Sequence, residues 1–249
     1  ESGGYPYAIP TLTREAFLSF YKRYYHPENS YIFLYGDADF EKELEFIDSQ
    51  YLSKYERGNN SAVIEPQKPF DAMKDLTRYY PITEGANLNN QTYLSLNFVA
   101  GDGTDQSLTW ALQILMQSLV DQESAPIRLA LQKAGIGQDV SSSINSFQQN
   151  TIIITVKNAN PKDKEKFYEI VMSGLKEAAE KGVDKKEVEG LINAFEFQLR
   201  EGNDAQKGLT NIFQSWTGFA FANDPFLGLE YEKPLAVLKA SLNNSYLED

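Results

Sequence analysis

One histidine and no cysteine stand among 249 residues, so the side chains suited to metal or nucleophilic chemistry can be weighed one by one. A hydrolytic zinc centre takes three protein ligands, mostly imidazole and carboxylate. His26 has only Asp37 and Asp39 within short reach along the chain, at a spacing that matches no zinc pattern. Placed directly before Pro27 at the expected end of a helix, His26 reads better as a capping or loop-packing residue. It is also the sole base for a hydroxyl–histidine–acid triad, and no G-x-S-x-G elbow supplies the serine. The missing cysteine removes thiolate ligands, a thiol nucleophile and disulfides together.

Carboxylates are plentiful: Asp37/Asp39, Glu41/Glu43/Glu45, Glu177/Glu180, Glu187/Glu189 and Glu196/Glu201. An acid–base pair needs two of them converging in a cleft. Most lie instead on expected helix faces beside lysines, as in Lys176-Glu177 and Lys185-Lys186-Glu187, which is the pattern of a solvated face. Gly101-Asp102-Gly103-Thr104 has neither phosphate-loop spacing, and an acid between the glycines would repel a phosphate; it is read as a turn. Aromatic residues cluster at Tyr24-Tyr25, Tyr79-Tyr80, Phe195/Phe197 and Phe213, Trp216, Phe219, Phe221. Helical spacing in the last group reads first as a core face. A peptide-contacting surface is the functional alternative.

Charge narrows the partners. With 35 Asp+Glu against 23 Lys+Arg, the formal charge is −12, which opposes nucleic acid and anionic membranes. Basic or neutral peptides match better, although such a charge also serves solubility alone. No apolar run reaches the ~18–20 residues of a spanning helix. Cysteine-free composition fits a reducing compartment, so a cytoplasmic location is expected. A first residue Glu with no basic-then-apolar leader suggests a segment of something longer.

The elements that must position these groups fall into three stretches. In residues 1–57, Ser2-Gly3-Gly4 and the prolines at 6 and 10 keep the entry irregular. Thr13 caps a helix carrying Phe17, Phe20, Tyr21 and Tyr24, which His26-Pro27 ends. Residues 31–35 form an aromatic, β-branched run read as a buried strand, and 40–54 a helix. Residues 58–75, with Asn59-Asn60-Ser61 and prolines at 66 and 69, read as a linker. In 76–249, strands are expected at 76–82 and 91–100, and a helix at 105–120. A helix capped by Ser124 then ends at Gly135, and a hairpin pairs 139–147 with 151–158. Further helices are expected at 162–181, 184–207, 208–222 and 234–242, with Asp184 and Glu187 at capping-box spacing. Period-2 spacing puts Ile152, Ile154 and Val156 on one face, beside Leu94, Leu96 and Phe98. Strands first and then many helices predict an α+β fold, a largely antiparallel sheet with helices layered on one face.

These residues resemble a family. Ser2-Gly3-Gly4, Ile9-Pro10-Thr11-Leu12-Thr13 and Tyr24-Tyr25-His26-Pro27-Glu28-Asn29-Ser30 through Gly36-Asp37 are similar to the end of the catalytic domain of presequence proteases, a branch of the insulinase/pitrilysin zinc metallopeptidases. Ser124-Ala125-Pro126-Ile127-Arg128 with Gly135-Ile136-Gly137 resembles the second, non-catalytic domain. So do Glu196-Phe197-Gln198-Leu199-Arg200-Glu201-Gly202-Asn203, Gly208-Leu209 and Asp224-Pro225 with Tyr231. The resemblance implies a half-domain of the processing-peptidase type in a clam-like enzyme whose zinc motif, H-x-x-E-H, lies elsewhere. Helix 105–120 is then the counterpart of the motif helix, without its His or Glu. No catalytic, cofactor-binding or metal residue carries over; zinc is expected in the parent protein only.

The implied domains are 1–57 from the end of the catalytic domain, a linker at 58–75, and an inactive repeat at 76–249 lacking its closing strand. Residues 31–35 are expected to pair into the sheet of 76–158, within one chain or by strand exchange between copies. The implied function is a non-catalytic, structural and peptide-enclosing domain of a metalloendopeptidase that degrades unfolded peptides. Its partners would be the parent's remaining domains and the peptide. The residues alone leave open a free-standing peptide- or protein-binding module, or an enzyme working through carboxylates.

Overall fold

The structure, a computed structural model, describes residues 4–58, 64–201 and 204–248. Ser2-Gly3 of the expected irregular entry, Asn59-Asn60-Ser61 of the expected linker, Gly202-Asn203 and Asp249 lie outside the described residues. The chain divides into two compact units, Glu1–Glu65 and Pro66–Asp249.

In the first unit, Thr13 caps α1 (Arg14–Tyr24) by accepting the Ala16 N–H at 3.1 Å. His26 then starts a 3-10 turn at Pro27–Asn29, its Nδ1 accepting the Glu28 N–H at 3.3 Å. Asp39 caps α2 (Phe40–Gln50) through the Lys42 N–H. Neither helix buries a residue: Phe17, Phe20, Leu44 and Phe46 are all more than half exposed. Residues 31–35, expected as a buried strand, are extended but belong to no strand. An isolated β-run has no ladder to satisfy its backbone, and the aromatic composition alone could not reveal that.

The second unit is α+β. Its sheet runs β1 (Thr92–Asp102), β3 (Gln149–Ala159), β2 (Asp139–Ser146) in spatial order, antiparallel throughout. Alternation sets the faces. Leu94, Leu96 and Phe98 lie opposite Val156, Ile154 and Ile152, and all six join the main core with Val140. Asn97, Ser95 and Ser143 sit on the opposite, exposed face. The expected register of the central strand therefore holds. The sheet contains neither residues 31–35 nor residues 76–82. The latter were expected as a strand, but Tyr80 stacks on Tyr93 with ring centroids 5.7 Å apart while Tyr79 is 95% exposed. A side-chain contact replaces the ladder there.

Helices cover one face in two depths. Directly on the sheet lie the end of α3 (Gln106–Met116), α4 (Pro126–Lys133) and α5 (Lys164–Lys181), through Met116, Ile127, Leu131, Phe167 and Val171. The outer side of α3 then meets α6 (Lys185–Glu201) and α8 (Glu232–Ala240), where Trp110 and Ile114 pack with Val188, Ile192, Leu235 and Leu238. Where one continuous helix was expected, α3 widens into a π-helix at Gln117–Asp121. Arg128 collects the carbonyls this leaves, donating to Val120 O at 3.1 Å and Asp121 O at 3.1 Å. Likewise α7 (Lys207–Thr217) passes into a π-helix at Gly218–Ala222. Ala125, not Ser124, holds the N-cap position of α4, without a side-chain cap, and Pro126 follows at the first position. Gly135, at φ +68°, closes that helix as the Ile136 N–H reaches back to Leu131 O.

Candidate functional site

The helix that matters most for chemistry is α3, because it lies between sheet and outer helices and begins at the end of β1. Asp105 caps it through the Leu108 N–H at 3.0 Å. Asp102 turns the chain just before, its Oδ1 accepting both the N–H and the hydroxyl of Thr104 at 2.8 Å. Of the segment expected as a turn, Gly101 and Asp102 end β1 and only Gly103-Thr104 turn, with Asp102 Oδ1 already engaged. Gly103 is required for space: a Cβ there would come 1.9 Å from Phe147 O.

On α3 itself, Thr109, Trp110, Ala111, Ile114 and Met116 are buried. Its one buried polar contact is a knot, in which the Thr109 hydroxyl donates to Asn150 Oδ1 at 3.0 Å. Asn150, wholly buried, in turn donates to Asp102 O at 3.2 Å. Trp110 meets Phe195 edge to face, with ring centroids 4.9 Å apart. A zinc ion needs imidazole or carboxylate donors, and α3 turns only threonine, serine, glutamine and apolar side chains toward its neighbours. The donor set of α3 does not fit the metal.

The sequence's other candidates do not converge. His26 sits at its cap, edge-on to Tyr55. Asp39 is held below the usual carboxylate range by the Lys42 ammonium and by the Lys42 N–H. Among the described residues, no group of three or more His, Asp or Glu could hold a metal ion. Glu177 pairs with Lys181 at 2.6 Å, which lowers its pKa. Glu196 is clamped first by Lys239 from α8 and then by Arg200, and its pKa is lowered likewise. These carboxylates are held in ion pairs, although Glu177 also lines, with Glu187, the groove described below.

Two surfaces bear on function. The aromatic group Phe213, Trp216, Phe219 and Phe221 was expected first as a core face, with a peptide-contacting surface as the alternative; Phe219 and Phe221 are half-buried, whereas Phe213 and Trp216 are 73% and 43% exposed, with Leu209 60% exposed on the same helix, α7. Ser215 is the buried side chain of that helix, donating to Pro225 O. A helical period marks an amphipathic face but not what covers it. The second is a groove of about 550 Å³ bounded by α4, α5 and the start of α6, with Leu119, Ile127 and Ile170 among its walls. No motif could announce it, because four separate segments, the π-helix after α3 included, form it.

Comparison with known proteins places the chain. The profile of the family described as "Peptidase M16 inactive domain" matches residues 11–195. The chain is 44% identical to Protein HypA of Clostridium perfringens (strain 13 / Type A), covering all of this chain and 26% of that protein. It is 33% identical to Presequence protease 1, chloroplastic/mitochondrial, of Arabidopsis thaliana, over 97% of this chain and 23% of that protein. The chain thus spans about a quarter of the length of these relatives. Among solved structures, a protease from Helicobacter pylori superposes with a TM-score of 0.59 at 13% identity, covering 96% of this chain and 57% of that one. The first half of the periplasmic protease PqqL from Escherichia coli gives 0.50 at 17%, covering 93% and 49%. At such identities these two speak to the fold alone.

Proposed function

From the premise that this chain belongs to the M16 peptidase family, as its inactive domain, we propose that it is a non-catalytic, peptide-enclosing part of a larger zinc metalloendopeptidase that degrades unfolded peptides. The observation that carries this reading is α3. At the place that the family resemblance reserves for a zinc-binding helix, the chain has a helix buried on both sides by apolar packing, without histidine or glutamate. Such a helix supports a wall, not a reaction. Zinc belongs, in this reading, to another domain of the parent.

The exposed stripe Leu209, Phe213 and Trp216 on α7 offers an unfolded peptide apolar contact that does not depend on sequence. The net charge of −12 favours neutral or basic peptides. The first unit supports the larger assembly. Helices α1 and α2 leave aromatic side chains open that a self-sufficient domain would bury. We assign residues 1–57 to the end of a preceding catalytic domain, 58–75 to a linker and 76–249 to the inactive repeat.

The test uses the full-length parent. Phe213→Ser with Trp216→Ser should raise KM for an unfolded peptide several-fold, with kcat, zinc content and thermal melting unchanged. An unchanged KM would remove the enclosing role.

A further inference from the structure

We propose that the side-chain amide of Gln149 is a binding site for the main chain of an extended polypeptide, and that the chain's own strap, residues 66–80, occupies it until a peptide displaces the strap. The proposal rests on the peptide-enclosing reading for the nature of its ligand, but it uses no residue of α7.

The sheet carries helices on one face only. Along β3, Asn150 turns into the core and is wholly buried, so alternation puts its neighbour Gln149 on the open face. There Gln149 Oε1 accepts the N–H of Gln67 at 2.7 Å, and Gln149 Nε2 donates to the carbonyl of the same Gln67 at 3.2 Å. A residue offers both of its backbone groups on one side when its chain is extended, as in the hydrogen-bonded pairs of an antiparallel ladder. The amide of Gln149 therefore does what a residue of a neighbouring strand would do. It combines one donor and one acceptor without charge and touches only backbone, so the clamp asks for no particular sequence.

The strap holds this place loosely. Its other ties stand at the far end of β1, where Tyr80 stacks on Tyr93 at 5.7 Å and Asp75 pairs with Lys164 at the start of α5. Gln149 lies opposite Asp102 in the ladder, so the strap runs antiparallel to β1 over roughly 30 Å, the rise of about nine strand residues. Over that length it joins no strand, and every residue from 66 to 80 is exposed. Pro66 and Pro69, on either side of Gln67, remove backbone donors and keep the strap from zipping into a ladder. A peptide without proline brings the donors that the strap lacks. Ser95 and Asn97, exposed on the same face between the ties, carry side-chain oxygens that can accept them.

The experiment titrates the isotope-labelled 249-residue chain with acetyl-Ser-Val-Gln-Val-Lys-amide. A second titration uses the same peptide N-methylated at glutamine and both valines, which keeps every side chain but removes those backbone donors. The side-chain amide of Gln149 and the backbone amide of Gln67 report the clamp. The unmodified peptide should shift both saturably, moving the Gln67 amide toward its position in the variant Gln149→Ala, where the strap is untied. The methylated peptide should bind about tenfold more weakly, the worth of one or two backbone hydrogen bonds. Cutting the far ties with Asp75→Asn and Tyr80→Ser together should tighten binding of the unmodified peptide about fivefold, because Gln149 is then free in more of the molecules. Equal affinity for the two peptides, a Gln67 amide that stays in place, or no tightening in the double variant overturns the proposal. Shifts confined to Leu209, Phe213 and Trp216 overturn it too, while leaving the enclosing role in place. Displacement of Gln67 upholds it even where the α7 variant of the parent keeps its KM.

Discussion

Ile153 and Ile154 are neighbours in sequence, both in the middle of β3, and the structure gives them opposite fates. Ile154 is 0% exposed, lies opposite Leu96, and sits in the core beneath the helices. Ile153 faces the other side of the sheet, opposite Asn97 and Ser143, and is half-buried. Ile154→Ala removes three carbons from a site with no room to collapse, since the residues around it are themselves buried. Fully buried isoleucines truncated in this way lose about 2–5 kcal/mol, and the complete enclosure puts this one near 4 kcal/mol. For a unit of this size each kcal/mol lowers Tm by about 2–4 °C, so a fall of about 8–16 °C is expected. Ile153→Ala, with less area withdrawn from water and no cavity, should cost about 1 kcal/mol or less. Urea and thermal melts followed by the fluorescence of Trp110, buried against Phe195, compare the two directly. Equal losses, or the larger loss at Ile153, would refute the assignment of the apolar face to the helices.

Three other outcomes follow from named contacts. Asn150→Ala strips the Thr109 hydroxyl and Asp102 carbonyl of a buried partner and should cost about 2 kcal/mol, read as a lower urea midpoint at unchanged slope. Glu196 has a folded pKa below its ordinary value of 4.5, chiefly through Lys239. Its contribution is therefore fully present above that value and is lost as pH falls through the depressed one. The gap in Tm between the native chain and Glu196→Gln should close on acidification and shrink with salt; a gap that widens in acid contradicts the ion pair. Dialysis against a chelator should leave the Tm of this chain unchanged and its zinc content far below one per chain, because α3 offers no ligand set. Mass spectrometry of metals together with a melt checks this, and one retained zinc would contradict it.

Short-range chemistry was legible in the sequence by itself. Thr13 caps the helix it was placed before, and the 139–158 hairpin and the buried face of β3 emerge where period 2 puts them. Caps and alternation depend on residues within one turn or one strand, so their physics is complete in a short window. The scarcity of imidazole and thiol is likewise a matter of composition, one histidine and no cysteine, which no fold can change. Only tertiary structure decided which apolar runs obtain partners. Residues 31–35 and 76–82 have strand composition but no ladder, because pairing is a property of two segments. The α7 stripe has the period of a core helix but faces outward, because burial requires a second surface to meet it. The groove lined by α4, α5 and α6 exists only where those separate segments meet, and no local pattern encodes it.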